Sequence, residues 1–222
     1  MLNILFPRFC MTCTNTLLKQ EKVLCSYCLC LLPLTRFHLQ TTTSNSMEDK
    51  FYGLLPVYQA TSLMYFTKKG IAQKVLHKLK YEGHQQIGTF FGNWLGSELQ
   101  KSSSYSDIDI VIPVPLDKKR LRKRGYNQVA NFAIQIAFHL QAKYCDTSLT
   151  KITSAVSQVG LSHWSRWRTE KIFSLKDRKS IKNKHVLLVD DLITTGATLT
   201  QCGKELLKAP IKKLSIATLA MS

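Results

Sequence analysis

The sequence predicts an α/β fold in which a parallel sheet is flanked by helices. The four aliphatic residues 186–189 are typical of a strand buried on both faces, and they lead directly into Asp190 and Asp191. Apolar residues recur at helical spacing in segments 71–81 and 129–140. The chain has 222 residues, of which 45% are hydrophobic, which allows one α/β domain and a small appendage.

Two cysteine pairs near the amino end have the spacing of a zinc site. Four thiolates complete a closed structural zinc site, and each pair follows the pattern Cys-x-x-Cys. The predicted ligands are Cys10, Cys13, Cys25 and Cys28. Cys30 is left as a spare thiol because the Cys25/Cys28 pair keeps the standard spacing. Two disulfides are disfavoured because no secretory signal pattern is present, and a catalytic zinc is disfavoured because no histidine lies near the pairs.

The order of elements follows from shifts in composition. The polar segment 40–46 reads as a linker between a zinc knuckle at residues 1–40 and a larger domain at residues 51–222. Within that domain we expect one or two strands in segment 54–66, a helix over 71–81 and a helix over about 87–99.

A dense basic run follows the next predicted strand. Segment 109–115 predicts a strand that stops at two prolines, and an amphipathic helix follows from about residue 126. Between them lie the basic residues Lys118, Lys119, Arg120, Arg122, Lys123 and Arg124. The run suits an anionic leaving group or a nucleic-acid backbone, and the alternative is a solvated charge run at the start of a helix.

A second candidate nucleic-acid segment interleaves aromatic and basic side chains. Its residues are Trp164, Arg166, Trp167 and Arg168. Tryptophans can stack on bases while arginines neutralise phosphates, which suits single-stranded nucleic acid. The alternative is a mobile segment over an active site with one tryptophan packed inward.

The net charge favours anionic partners. With 31 Lys and Arg against 14 Asp and Glu, the formal charge is +17 and the pI is about 9.7. Nucleic acid is the foremost candidate and an anionic membrane surface the second. No apolar run approaches the ~20 residues needed to span a membrane, so we expect a soluble protein without a membrane span. The reduced cysteines and the lack of a secretory signal pattern predict a cytoplasmic location.

The segment after the buried strand predicts a phosphate site. Asp190 and Asp191 would repel each other unless a metal ion or ligand hydroxyls compensate them. The residues that follow are Thr194, Thr195, Gly196, Ala197 and Thr198, just before a helix predicted over about 199–208. The N–H groups at a helix N-terminus favour phosphate. The alternative is a strand followed by a threonine-rich helix cap with exposed acids.

The sequence Val-Leu-Leu-Val-Asp-Asp-Leu-Ile-Thr-Thr-Gly-Ala-Thr resembles the signature of the type I phosphoribosyltransferases. The resemblance implies a type I phosphoribosyltransferase-like sheet that binds 5-phosphoribosyl 1-pyrophosphate (PRPP) together with Mg²⁺. Asp190 and Asp191 would bind the ribose 2′ and 3′ hydroxyls and position the sugar, and they are the predicted catalytic residues. Residues 194–198 would bind the 5′-phosphate.

The order of the cysteine pairs, the strand with its basic run and the PRPP signature resembles the ComF family of competence proteins. Leu79-Lys80-Tyr81 and Arg124-Gly125-Tyr126-Asn127-Gln128 also resemble family elements. The resemblance implies that Pro115, Leu116 and Asp117 approach the pyrophosphate and that Arg124, Asn127 and Gln128 lie at the site rim. The chain keeps Gln158, Leu161, Arg166 and Phe173, but the family asparagine before that phenylalanine is replaced by Arg168 or Glu170.

Two hypotheses about function follow. The first is a phosphoribosyltransferase with an unidentified acceptor that takes part in DNA uptake for natural transformation, with competence-machinery proteins such as a DNA-uptake helicase as partners. The second is a non-catalytic competence factor that binds single-stranded DNA and uses the PRPP site as a sensor or relic.

Overall fold

Five parallel strands form the central sheet of the computed structural model, which describes residues 7–40, 44–152 and 172–222. In the order of the sheet they are β1 (Gln59–Tyr65), β7 (Lys213–Met221), β6 (His185–Ile193), β2 (Ile110–Pro113) and β3 (Lys143–Tyr144). In the middle strand, β6, Val189 pairs with Pro113 on one side and with Ala217 on the other. The carboxyl ends of β2 and β6 therefore meet at the same edge of the sheet, where parallel sheets bind ligands.

Seven helices are described. They are α1 (Ser26–Cys30), α2 (Ser46–Asp49), α3 (Ile71–Tyr81), α4 (Gln86–Leu99), α5 (Lys118–Arg124), α6 (Ala130–His139) and α7 (Ala197–Leu206). Four of them, α3, α4, α6 and α7, pack against the sheet. Two short strands, β4 (Leu149–Lys151) and β5 (Phe173–Leu175), pair antiparallel outside the sheet. Two 3₁₀ turns, Phe37–Leu39 and Ser103–Tyr105, complete the described elements.

Alternate residues of β6 enter two hydrophobic clusters. Leu187 and Val189 belong to the cluster that includes α3, α4 and α6, whereas Val186 and Leu188 belong to the cluster that includes α7. Because successive strand residues point to opposite faces, this division places helices on both sides of the sheet. The aliphatic run predicted this two-sided burial, and the prediction is confirmed.

The cysteine region shares a core with the sheet domain. Cys10, Leu17 and Val23 are buried in the same cluster as the apolar face of α3. Lys74 of α3 also donates from Nζ to the carbonyl oxygen of Thr12 at 3.3 Å. Residues 33–35 then run beside β1, where Thr35 N–H donates to the carbonyl of Leu63.

The prediction of a polar linker over 40–46 is wrong at its carboxyl end. Asn45 is buried and its side chain accepts hydrogen bonds from Met47 and Glu48 N–H, so it begins α2 as part of a capping box. Asn45 Nδ2 also donates to the carbonyl of Ala60 at 3.0 Å. These contacts attach the segment to β1, and its polar composition reflects capping.

Most predicted elements are confirmed, with small shifts at their ends. The helix over 71–81 is confirmed, and α4 begins one residue earlier than expected. The expected one or two strands in segment 54–66 are a single strand, β1. Helix α7 spans Ala197–Leu206, two residues earlier than predicted at both ends, because Gly196 in the left-handed region is its N-cap.

Membrane-spanning segments were not expected. Within the part of the chain that the structure describes, no helix combines the length and apolar character needed to cross a bilayer.

Candidate functional site

Strand β6 delivers Asp190 and Asp191, here called the acid pair, to the ligand-binding edge of the sheet. Both are buried, with exposed fractions of 9% and 5%. Asp191 N–H donates to Asp190 Oδ1 at 2.8 Å. Gln128 Nε2 donates to Asp191 Oδ2 at 2.6 Å, and Lys80 Nζ lies 2.9 Å from Asp191 Oδ1. Three separate parts of the chain therefore fix the acid pair.

Burial and the neighbouring charge change the acidity of this pair. Burial, and secondly repulsion by Asp191, raise the pKa of Asp190 to about 8, although its bond from Asp191 N–H and the charges of Lys80 and Lys151 act in the opposite direction. Near neutral pH the acid pair therefore retains a proton on Asp190. Such a pair can both accept and donate hydrogen bonds, which suits the hydroxyl groups of a sugar.

The loop after the acid pair wraps a small cavity of about 50 Å³ lined by Asp190 and residues 192–199. Gly196 has φ +80° and directly precedes α7, whose ten residues give it an N-terminal end with free N–H groups. Lys50 Nζ donates to the carbonyl of Thr194 at 2.8 Å. The loop thus joins backbone N–H groups, threonine hydroxyls and a nearby lysine, a combination suited to an anion.

The rim of the site comes from the segment after β2. Val114 N–H donates to the Val189 carbonyl, which brings the following residue, Pro115, to the site edge. Asn127 Nδ2 donates to the Val114 carbonyl at 3.1 Å. Arg124 donates to Gln128 Oε1 at 2.6 Å, so it reaches the acid pair through Gln128.

The basic run forms a helix of its own, α5. Asp117 caps it by accepting the N–H of Arg120 at 2.8 Å, and Gly125, with φ +76°, ends it. None of its residues is buried. The cap and the glycine separate α5 from α6, and the exposure of α5 is compatible with both the ligand-binding interpretation and the alternative of a solvated charge run.

Helix α5 is a ridge between two basic depressions. One of about 380 Å³, the inner pocket, is lined by Lys80, Tyr81, Gly83, Arg120, Lys123, Arg124 and Tyr126. The other, of about 820 Å³, is the outer groove and is lined by Lys118, Lys119, Arg122, Thr150, Lys151, Ile152 and Lys176. The described lining of each depression includes cations and no carboxylate. The structure thus divides the predicted nucleic-acid residues of this run between two surfaces.

The second predicted nucleic-acid segment cannot be placed in the same way. Trp164, Arg166, Trp167 and Arg168 lie in residues 153–171, outside the described residues, as do Gln158, Leu161 and Glu170.

The four predicted metal ligands converge. The Sγ atoms of Cys10, Cys13, Cys25 and Cys28 all lie within 4.8 Å of one another, and those of Cys13 and Cys25 are 3.6 Å apart. Sulfurs placed about 2.3 Å from a tetrahedral zinc ion are separated by about 3.8 Å, so the cluster fits that ion. Cys30 is exposed and outside the cluster. The cluster therefore has the composition of a closed structural site.

Sequence reasoning missed Lys80 and Lys151 as site residues. Lys80 lies 111 positions before Asp191. Its only signal in the sequence is the resemblance of Leu79-Lys80-Tyr81 to a family element, and that resemblance assigns Lys80 no role. Lys151, on β4, offered no signal because its strand is only three residues long. Both are brought to the site by tertiary packing.

Comparison with known proteins gives matches consistent with this geometry. The family model described as phosphoribosyl transferase domain matches residues 123–221. The Haemophilus influenzae protein named Competence protein F is 34% identical over 114 residues, covering 50% of this chain and 50% of that protein. Competence protein ComFC of Streptococcus pneumoniae is 30% identical over 154 residues, covering 69% of this chain and 65% of that protein.

A third relative is similar over a longer stretch. DNA utilization protein YhgH of Escherichia coli is 24% identical over 203 residues, covering 90% of this chain and 84% of that protein. The match spans 50% of the length of the Haemophilus influenzae protein and 65% of the length of the Streptococcus pneumoniae protein. The matched domain and the helix-flanked parallel sheet confirm the predicted type I phosphoribosyltransferase fold.

Proposed function

We propose that this chain, which is a ComF family protein by its relatives and its phosphoribosyltransferase domain, binds PRPP and takes part in the uptake of DNA for natural transformation. The observation that carries the proposal is the acid pair at the end of β6, followed at once by the 194–198 loop at the start of α7. The two features match the two ends of a phosphorylated ribose, its hydroxyls and its 5′-phosphate.

In this proposal the acid pair binds the ribose 2′ and 3′ hydroxyls. Thr194, Thr195, Gly196, Ala197 and Thr198 surround the 5′-phosphate through N–H groups and hydroxyls. Pro115 and Arg124 lie at the rim on the side of β2. Held at both ends, the sugar has little freedom to rotate, which favours reaction at C1′.

The reaction that this arrangement suits is transfer of the phosphoribosyl group. A lone pair of the acceptor forms a bond to C1′, the bond from C1′ to the pyrophosphate oxygen breaks, and its electron pair leaves with pyrophosphate. The acceptor then gives up a proton. The charges of the inner pocket stabilise the negative charge that develops on the leaving group.

A magnesium ion fits this site as a companion of the ligand. The two oxygens of Asp191 already face Gln128 and Lys80, so the ion would be held mainly by the phosphate oxygens of PRPP, as Mg²⁺ commonly is. Its chemical contribution would be to neutralise the pyrophosphate.

The test is a calorimetric titration of zinc-loaded protein with PRPP and Mg²⁺, followed by a pyrophosphate-release assay with and without single-stranded DNA. Wild-type protein should bind PRPP, and a double variant, Asp190→Asn with Asp191→Asn, should not. Asp49→Asn, an exposed aspartate on α2, is the matched control. Release of pyrophosphate supports a transferase, and binding without release supports a sensor. Failure of the folded wild type to bind PRPP refutes the proposal.

The second candidate function is binding of single-stranded DNA without catalysis, and the outer groove favours it. Lys118, Lys119 and Arg122 face this groove from α5, while Lys151 and Lys176 face it from β4 and from the residue after β5. Five cations without a carboxylate among the described lining residues suit a polyphosphate backbone.

Anisotropy titrations with a labelled oligonucleotide test this candidate. Replacing Lys118, Lys119 and Arg122 with alanine should weaken binding and make the slope of log K against log salt shallower by about 2, at about 0.7 per lost phosphate contact on single strands. Replacing three exposed lysines elsewhere, Lys19, Lys22 and Lys204, removes the same charge and should have a smaller effect. Equal effects from both variants would mean that only net charge matters. The acid-pair variant should retain DNA affinity, and its loss without unfolding would contradict two separate sites.

A further inference from the structure

Lys80 is the one cation among the described residues that makes a direct ion pair with the acid pair and also lines the inner pocket. Its Nζ lies 2.9 Å from Asp191 Oδ1, and its side chain is 21% exposed. None of the motif roles considered above includes it.

The position of Lys80 follows from how α3 ends. Leu79 is buried in the core, whereas the next residue, Lys80, is partly exposed and extends to Asp191. The Tyr126 hydroxyl donates to the carbonyl of Leu79, which ties the last turn of α3 to the segment after α5. Lys80 is therefore held between the acid pair and the inner pocket by contacts on both sides.

The inner pocket has the chemistry of an anion site. Besides Lys80 it contains Arg120, Lys123 and Arg124, and the guanidinium of Arg124 lies 5.2 Å from the centre of the Tyr81 ring. The two carboxylates nearest in sequence, Glu82 and Asp117, are not part of the lining, and they pair with Lys78 and Arg120. A positive charge density of this kind is suited to phosphate groups.

We propose that Lys80 is a positioning residue that couples the two parts of this site: its ammonium group holds the Asp191 side chain oriented for a ribose hydroxyl, and once ligand is bound the same group neutralises the anion carried at C1′. The inference rests on the proposed function, since it assumes that the acid pair binds a phosphorylated ribose.

This coupling has a physical reason. Each carboxylate oxygen can accept more than one hydrogen bond, so Asp191 can take a ribose hydroxyl while Lys80 stays near. Without the positive charge of Lys80, Asp190 would hold its proton more tightly. The charged groups that act on Asp190 are Asp191 on its own strand, Lys80 on α3 and Lys151 on β4, and the Cys202 thiol faces it from α7.

The experiment compares two ligands on four proteins. Ribose 5-phosphate and PRPP with Mg²⁺ are titrated calorimetrically into wild type, Lys80→Met, Lys80→Arg and the control Lys78→Met. Lys78 lies on the same helix but pairs with Glu82 at 2.8 Å. Circular dichroism and thermal unfolding first establish that each variant is folded.

Lys80→Met should weaken ribose 5-phosphate about tenfold and PRPP about a hundredfold or more, since only PRPP loses a charge-assisted contact to its anion as well. Lys80→Arg should recover most of the loss, and Lys78→Met should behave as wild type. The affinity for ribose 5-phosphate should change with pH across the range in which Asp190 loses its proton, and Lys80→Met should move the midpoint of this change to higher pH.

Equal losses for the two ligands would overturn the role at C1′, and an unchanged pH midpoint would overturn the role of Lys80 at the acid pair. A wild-type protein that binds neither ligand would instead refute the proposed function itself, whatever the behaviour of the Lys80 variants.

Discussion

Replacing Asp190 with asparagine should stabilise the protein while removing ligand binding. Asp190 is buried beside Asp191, and its pKa is raised from an ordinary value of 3.8 to about 8. Asparagine has the same shape, carries no charge and can still accept the Asp191 N–H. The variant therefore removes a group that must either take up a proton or be buried as a charge, and it leaves no cavity.

The sign of the pH effect follows from proton binding. Above pH 4 the unfolded chain has lost the Asp190 proton while the folded chain keeps it, so the wild-type free energy of unfolding falls as pH rises toward 8. Three pH units at about 1.4 kcal/mol each set a limit of about 4 kcal/mol between pH 5 and pH 8. Residual exposure of 9% and adjustment of Lys80 reduce this, and we expect about 2 kcal/mol.

Urea unfolding at pH 5 and pH 8, followed by circular dichroism, measures this effect. The stability advantage of Asp190→Asn over wild type should be about 2 kcal/mol greater at pH 8 than at pH 5. Asp49→Asn, at an exposed position, should show no such change. The reasoning is refuted if Asp190→Asn has the same pH slope as wild type, because Asp190 would then titrate alike in the folded and unfolded chain.

Three further predictions concern the metal, the helix packing and the loop. Reduced protein should contain one zinc ion per chain by metal analysis. Cys13→Ser should lower both the zinc content and the thermal stability, because the cluster shares the core with α3. Full metal content in that variant would contradict a four-cysteine site. Gly92→Ala should cost about 1–3 kcal/mol of unfolding free energy, since the new Cβ would lie 2.6 Å from the Phe132 carbonyl oxygen. Gly88→Ala, whose nearest contact would be 3.3 Å, should cost less. Similar urea midpoints for both variants would show that α4 and α6 can separate freely. Gly196→Ala should lower the free energy of unfolding by about 1 kcal/mol, because the φ of Gly196 is +80°. In calorimetry the same variant should weaken PRPP binding more than it weakens DNA binding. Unchanged PRPP affinity would argue against a role of this loop in holding phosphate.

The sequence predicted those features whose cause is local. The aliphatic run of β6 and the helical spacing of α3 are read from neighbouring residues, because burial on one or two faces imposes a period on the chain. The cysteine spacing likewise predicted the cluster, since each pair needs only one tight turn to bring two thiols together. The order of acid pair, threonine loop and helix was also visible in one continuous segment.

Capping contacts were harder to predict because they depend on single side chains in polar segments. From composition alone Asn45 is predicted to be a linker residue, but in the structure its side chain donates a hydrogen bond to the carbonyl of Ala60. Composition likewise predicts only a charge run between Asp117 and Gly125, where the structure has the helix α5. The same polar residues suit loops and caps, so local composition does not separate the two.

The contacts that complete the site were decided by tertiary structure alone. The sheet order sets β2 beside β6, and the packing of α3 sets Lys80 against Asp191, although 111 residues separate them in the chain. The division of the basic run into an inner pocket and an outer groove depends on what lies on each side of α5. Periodicity specifies which face of an element is buried, but the free energy of packing the whole core selects its neighbours, and that information is not held in any one segment.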